Sequence, residues 1–246
     1  MTARGRRTIA LIVLTLLVVG ALATYHHGRR LWVPAYLKVK GRRTVAEAVE
    51  QFAPDAEARL RPHFESAGVD YPPERLAFVV LKDTKTFELW ADDGGGPTRV
   101  VDYPVLAASG GPGPKLREGD RQVPEGLYRI SGLNPNSAFH LSMKVSYPNE
   151  HDLLHAEREG RTEPGSDIFI HGKAASIGCL AMGDPAIEEL FVLTARVGRE
   201  RVEVLIAPTD FRRHGVPPVD EEQPAWVPAL HASLIEALAR YPRSDR

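Results

Sequence analysis

Cysteine is nearly missing from this sequence: Cys179 is the only one in 246 residues. That excludes an intramolecular disulfide framework and any Cys-rich zinc site. Acidic charge is missing from the start of the chain. Residues 1–43 hold nine of the 31 Lys and Arg residues and none of the 32 Asp and Glu residues. Residues 44–246 are left with 22 basic against 32 acidic side chains, a net of −10. So acidic a body is a poor partner for nucleic acid, whose binding rests on phosphate neutralisation, and no nucleic-acid partner is expected. No internal repeat is visible. Hydrophobic (43%) and charged (26%) fractions are those of an ordinary globular protein, long enough for one or two domains with a real core.

The N-terminus carries a pattern of its own. Arg4, Arg6 and Arg7 precede an apolar run from Ile9 to Ala23, and Ala21-Leu22-Ala23 offers a small-residue cleavage site. Residues 1–25 are therefore expected to be a signal peptide or, read from Thr8 to Tyr25, a membrane anchor. Either reading places the body in the cell envelope, exported to the periplasm, with membrane association through residues 8–25 if the segment is kept. The positive-inside rule pulls the other way, since six basic residues (Arg29, Arg30, Lys38, Lys40, Arg42, Arg43) follow the run and three precede it.

Residues 26–43 read as a basic linker. Residues 44–74 read as an N-terminal helical segment. Thr44 and Glu47 form a capping-box pattern that starts a helix at Val45 running to about Phe52. A second stretch is expected from about Asp55 to Ala67, with Pro62 as a kink or restart and Gly68 as the stop. Leu76–Leu81 and Thr86–Trp90 read as a hairpin, followed by strands at Val100–Ala107, Gly126–Ile130 and Phe139–Val145. The polar stretch from Pro148 to Gly165 reads as a long surface insertion with a single helical turn at most. Asp184-Pro185 reads as a helix start, with Asp184 as N-cap, and Ile187, Leu190, Phe191, Thr194 and Val197 as the buried face. A strand at Arg201–Ala207 closes a domain at 75–207, and a Pro-rich tail with a helix at about Pro228–Tyr241 fills 208–246. The fold class is mainly β (α+β), with helices at both ends.

Three constellations compete for the chemistry. His151-Asp-Leu-Leu-His155 would put two imidazoles on one helix face, but Asp152 stands where the zinc-peptidase pattern needs Glu, and no third ligand is evident. No metal is expected there. The Gly-Pro loop 109–114 lacks the Lys-Ser/Thr ending and following helix of a phosphate cradle, and reads as a turn. The third is Asp167–Asp184, DIFIHGKAASIGCLAMGD, in which His171 precedes Cys179 by eight residues between glycines. A lone cysteine can be a small buried hydrophobe. It can also be a thiolate nucleophile with an imidazole base, served by backbone amides near Gly178 and Cys179 as an oxyanion hole. An unpaired thiol in an exported chain is open to oxidation and exchange, which favours the chemical role.

Ile170-His-Gly172 … Ser176-Ile-Gly-Cys179 resembles the signature of the L,D-transpeptidase catalytic domain, the YkuD family. Pro124-Glu-Gly126-Leu-Tyr-Arg-Ile130 is similar to that family's strand entry, and the resemblance extends over roughly residues 75–207. It implies a β-sandwich of mixed strands with a helix after the nucleophile. It also implies a cysteine acyl-enzyme acting on peptidoglycan stem peptides, in cross-linking or remodelling of the cell wall, without cofactor. Cys179 would be the nucleophile and His171 its base. Gly172 would orient the imidazole, and the Ser176–Cys179 loop, with Gly178, would hold the oxyanion. His140 would line the site or serve as a structural histidine. Typical members carry Arg two residues after the cysteine, where this chain has Ala181, and a polar residue before the Gly-Cys pair, where it has Ile177. Cys-Leu-Ala-Met182, with Asn134-Pro-Asn136 and Tyr147-Pro-Asn149, is similar to the YafK-type branch, which includes a hydrolase that releases a wall-attached protein. Such a protein is the second expected partner. Two rival readings are a non-catalytic cell-wall binding module and a redox-sensing thiol.

Overall fold

The structure, a computed structural model, describes residues 3–176, 178–216 and 223–242, without side chains at 3–10, 26–27 and 30–31. The Ile177 departure, part of the Pro-rich tail, and the side chains of Arg4, Arg6, Arg7 and Arg30 lie outside the described residues. The chain divides into two units, Met1–Arg43 and Thr44–Arg246.

The first unit is helical. Helix α1 (Ala3–His27) and helix α2 (Arg29–Lys40) meet at Gly28. A Cβ on Gly28 would lie 2.6 Å from the Thr24 carbonyl oxygen, so only glycine lets the chain turn that closely. Trp32 stacks on Tyr25 with centroids 5.4 Å apart, and the Arg29 guanidinium lies 5.3 Å over the Trp32 ring. The basic segment after the apolar run is a helix that contains Pro34. Leu11, Leu16, Leu17 and Leu22 are exposed along α1. Among the described residues, no helix is long and apolar enough to cross a membrane.

The second unit is built on a mixed sheet of eight strands: β1 (Arg75–Leu81), β2 (Thr86–Asp92), β3 (Thr98–Pro104), β4 (Gly126–Ser137), β5 (His140–Val145), β6 (Phe169–His171), β7 (Leu180–Ala181) and β8 (Val202–Ala207). Their order is β3-β2-β1-β8-β4-β5-β6-β7, with β1–β8 and β6–β7 parallel and the other pairs antiparallel. β4 serves both halves. Its start pairs with β8, and past an irregularity between Ile130 and Gly132 it pairs with β5. The bulge bends the strand, and the two halves come to share one core. The sheet then meets itself: just beyond β3, the Leu106 amide donates to the Ala181 carbonyl (2.8 Å) and the Ala181 amide to the Ala107 carbonyl (2.9 Å).

β1 shows how the pattern makes the layers. Phe78 and Val80 face the main core, under helices α3 (Val45–Ala67) and α5 (Asp184–Val197). Ala77, Val79 and Leu81 face the opposite way, under helix α6 (Val227–Leu238). A strand buried on both faces reads as a continuous apolar run, as LAFVVL does. Arg212 ties α6 to this layer, reaching both Glu88 carboxylate oxygens (2.8 and 3.0 Å) and the Tyr241 carbonyl (2.8 Å).

Three expectations need correction. The two stretches at 45–67 are one helix, α3, containing Pro54 and Pro62. Each proline costs a backbone bond, but Ala53, Ala56, Leu60 and Phe64 are buried along the same face, and that packing overrides the break. The 148–165 insertion contains a nine-residue helix, α4 (Glu150–Arg158), opened by an Asn149/Asp152 capping box. α5 has Gly183, not Asp184, at its N-cap, which frees the Asp184 side chain for another task. The Thr44/Glu47 capping box and the Gly68 stop, left-handed at φ 68°, are present.

Candidate active site

His171 ends β6 and Cys179 immediately precedes β7, two short parallel strands paired Ile170↔Leu180 and His171↔Ala181. Side chains alternate along strands. Cys179, two residues before the partner of His171, therefore falls on the His171 side when that alternation is carried back. The described residues between them form a loop tied at both ends.

At the first end, His171 is buried (3% exposed), with its ring 4.7 Å from that of Phe139. Its Nδ1 lies 2.6 Å from the Gly172 carbonyl oxygen. A carbonyl can only accept, so Nδ1 carries the proton and Nε2 holds the lone pair of the neutral ring. Gly172 has no space for a side chain: a Cβ there would lie 2.7 Å from both Asp184 Oδ1 and Phe139 O. Lys173 is left-handed (φ 62°), donates its amide to Asp184 Oδ1 (3.0 Å) and pairs its ammonium with Asp184 Oδ2. Burial pushes the Asp184 carboxyl up, but the Lys173 ammonium and amide hold it below the usual carboxylate range.

At the second end, the Cys179 amide donates to Ser176 Oγ (2.9 Å), and Ser176 Oγ donates back to the Cys179 carbonyl. The Cys179 thiol is half-buried, with Sγ 3.7 Å from the Asp167 carbonyl oxygen. The Cys179 amide is therefore engaged, whereas the Gly178 amide has no partner among the described residues. Gly178 sits at φ 110°, a conformation that favours glycine. A Cβ there would lie 3.7–3.8 Å from the Arg121 and Gln122 backbone, so the 105–125 loop walls the cysteine.

That wall is heavily stapled. Ser109 Oγ donates to the Arg121 carbonyl (2.7 Å), Gln122 Nε2 reaches the Gly111 and Gly113 carbonyls, and Asp120 accepts from the Leu116, Arg117 and Gln122 amides. Burial raises the Asp120 carboxyl, and the Lys115 ammonium with those amides outweighs it and holds it low. Buried Lys82 bridges the Gly113 and Val123 carbonyls and Glu125 Oε1 (2.8 Å). The Gly-Pro loop is thus part of this wall, held through the Gly111 and Gly113 carbonyls.

His140 packs between α3 and α5. It is left-handed (φ 78°), packs edge-on against Phe52 of α3 (5.1 Å), and places Nε2 2.8 Å from Glu188 Oε1 on α5. Its Cβ would be 3.1 Å from a Cβ on Gly172, so it supports that loop from behind. His151 and His155 lie along α4 beside Trp226, which stacks on His155 at 4.3 Å. Among the described residues, no group of three or more His, Cys, Asp or Glu side chains could hold a metal ion. Sequence reasoning missed the Lys173–Asp184 clamp and the Arg121 wall. Only the position of Lys173 and Asp184 at the two ends of the motif hinted at the former.

Residues 74–204 match the L,D-transpeptidase catalytic domain, YkuD. The Escherichia coli K12 protein named "Putative L,D-transpeptidase YafK" is 34% identical over 145 residues, which cover 55% of this chain and 56% of that one. The chain thus spans about half the length of this relative. Among solved structures, the helical cell shape determining protein Pgp2 from Campylobacter jejuni is 19% identical, with TM-score 0.46, over 55% of this chain and 48% of that one. Bdellovibrio bacteriovorus Bd1075 is 20% identical, with TM-score 0.41, over 70% and 57%. With the match spanning half of its length and enclosing the His171–Cys179 loop, this chain belongs to the YkuD family of L,D-transpeptidase catalytic domains.

Proposed function

We propose that this chain is a cysteine acyltransferase of the cell envelope, acting on peptidoglycan stem peptides. The observation that carries the reading is the His171 ring, held through Nδ1 by the Gly172 carbonyl so that Nε2 is the basic nitrogen, on a strand paired with the one that follows a cysteine locked by reciprocal bonds to Ser176. Nε2 takes the Cys179 proton. The thiolate attacks the carbonyl of the diamino acid linked to D-alanine, a C–S bond forms, and the carbonyl oxygen becomes an oxyanion facing the Gly178 amide. Collapse breaks the C–N bond, and the imidazolium returns its proton to the departing D-alanine amine. A second stem's amine then attacks the thioester to form a cross-link. If water attacks instead, the outcome is hydrolysis, which is the second reading. Export of residues 44–246 belongs to the same proposal, since peptidoglycan lies outside the membrane.

The test is mass spectrometry of defined muropeptides after incubation with the full chain and with Cys179→Ala. Loss of D-alanine with a cross-linked product supports transfer, and a tripeptide with no cross-link supports hydrolysis. Equal product from the alanine variant removes Cys179 from the chemistry and with it this function.

A further inference from the structure

Three cations are carried by segments that adjoin the Cys179 loop. Lys144 pairs with Asp167 (2.7 Å), whose carbonyl receives the thiol, and Lys173 pairs with Asp184. Their charges are spent inside the protein. Arg121 is different: it is exposed, and its guanidinium has no carboxylate partner among the described residues. It is also placed with care. Its Cα would lie 3.8 Å from a Cβ on Gly178, next to the nucleophile. Its backbone is left-handed (φ 56°), a conformation rare for a long side chain and retained where the surroundings impose it. Here Ser109 fixes the Arg121 carbonyl, and Asp120 fixes the following amide (3.0 Å). Ala181, where arginine would resemble the family pattern, is fully buried and bonded on both sides, so no cation can be presented from there.

We infer that Arg121 is the specificity-determining residue of the site, binding a free carboxylate of the substrate beside the scissile carbonyl. The inference rests on the proposed reading of Cys179 as a nucleophile toward stem peptides. A guanidinium presents a planar fork of donors that matches a carboxylate, and on a rigid loop little entropy is lost on pairing. Two carboxylates of a stem peptide fit this chemistry: that of the terminal D-alanine and the side-chain carboxylate of the diamino acid.

The first arm of the test needs no turnover. Alkylation of Cys179 in the full chain by iodoacetate, an anion, is compared with alkylation by neutral iodoacetamide, each on its high-pH plateau. Arg121→Gln should lower the iodoacetate-to-iodoacetamide rate ratio by at least about fivefold, the weight of one contact ion pair in a water-like dielectric. Arg121→Lys should retain much of the ratio. A ratio unchanged in Arg121→Gln, with the fold confirmed by an unshifted melting temperature, overturns the inference whatever the enzyme's substrate. The second arm compares kcat/KM on stem peptides amidated at one carboxylate or the other. The parent should discriminate against one amide at least about fivefold, and Arg121→Gln should lose that discrimination alone. The amide that is rejected identifies the carboxylate. Discrimination that persists in Arg121→Gln also overturns the inference. Failure to turn over any stem peptide, with the alkylation ratio lowered in Arg121→Gln, would count against the proposed function and support Arg121 as the anion-recognising residue of the site.

Discussion

Gly172→Ala isolates what the loop does for the imidazole. A methyl group at that position would stand 2.7 Å from Asp184 Oδ1, 2.7 Å from the Phe139 carbonyl oxygen and 3.1 Å from His140 Cβ. Phe139 O is backbone and Asp184 Oδ1 is held by Lys173, so the glycine peptide must move, by about 0.7 Å to reach ordinary contact. Overpacking of this size costs about 1–3 kcal/mol, a fall in Tm of about 3–10 °C for a body of this size. The functional loss should be far larger. The Gly172 carbonyl holds His171 Nδ1 at 2.6 Å, and a displaced anchor misaims Nε2. A general base out of place costs about a hundred- to ten-thousand-fold in rate. Gly178→Ala is the matched control, because its nearest neighbour would be 3.7 Å away and its cost, about 1–3 kcal/mol, comes from backbone strain at φ 110°. The assays are thermal unfolding, stem-peptide turnover and the pH profile of Cys179 alkylation, which should move to higher pH in Gly172→Ala. An alanine variant that melts and alkylates like the parent would refute the reasoning.

His171→Gln should keep the fold, raise the pH at which Cys179 alkylates, and slow turnover by about a hundred- to ten-thousand-fold. An unchanged alkylation profile would make the histidine structural and favour a redox thiol. Arg212→Met takes the guanidinium away from buried Glu88 and Asp210, and should cost about 3–5 kcal/mol in urea denaturation. A loss under about 1 kcal/mol would show that water or rearrangement replaces the pair. Burial pushes the Asp152 carboxyl up to about 6 against the Asn149 amide and the Tyr128 hydroxyl, from an ordinary value of 3.8. The folded protein therefore holds a proton that the unfolded chain releases. This contribution is full below pH 3.8 and is lost as pH rises through about 6. Asp152→Asn should flatten that decline in a series of stability measurements, and an identical slope in both proteins would reject the assignment. A C-terminal alkaline phosphatase fusion should be active if residues 44–246 are exported. An inactive phosphatase fusion with a fluorescent cytoplasmic reporter would place Cys179 inside and exclude a wall substrate.

Much of the fold could be read from local signals. The LAFVVL run and the Thr86–Trp90 segment become β1 and β2, because β-rich runs separated by a tight polar turn leave few other pairings. What escaped was decided by tertiary contact. α3 runs through two prolines because its apolar face is covered along its whole length. α4 looked too polar to hold its shape, since only Asp152 and Ala156 are buried. Its Asn149-x-x-Asp152 capping box was visible but uses a shorter acid than the usual Glu or Gln. β4 runs on past the expected Gly126–Ile130, through Asn134-Pro-Asn136 to Ser137. In the site, the histidine, the cysteine and their glycines stood out by spacing. Arg121, fifty-eight residues upstream of Cys179, could not, because only the folded loop brings it against Gly178.

The meeting of the sheet with itself at Ala181 constrains how any partner reaches the cysteine. A two-residue strand at a margin would ordinarily offer its free amides and carbonyls as a template, and an incoming peptide could extend the sheet there. Ala181 offers nothing of the kind, since its amide and carbonyl are both committed to the chain just beyond β3 and its other flank is paired with His171. Strand addition along the nucleophile's own segment is closed off. A ligand has to be read by loops and side chains at the strand's end, where main-chain chirality matters less than the position of a carbonyl and a charge. The Ala181 amide, fully buried and bonded to the Ala107 carbonyl, should exchange its hydrogen only when the whole body opens.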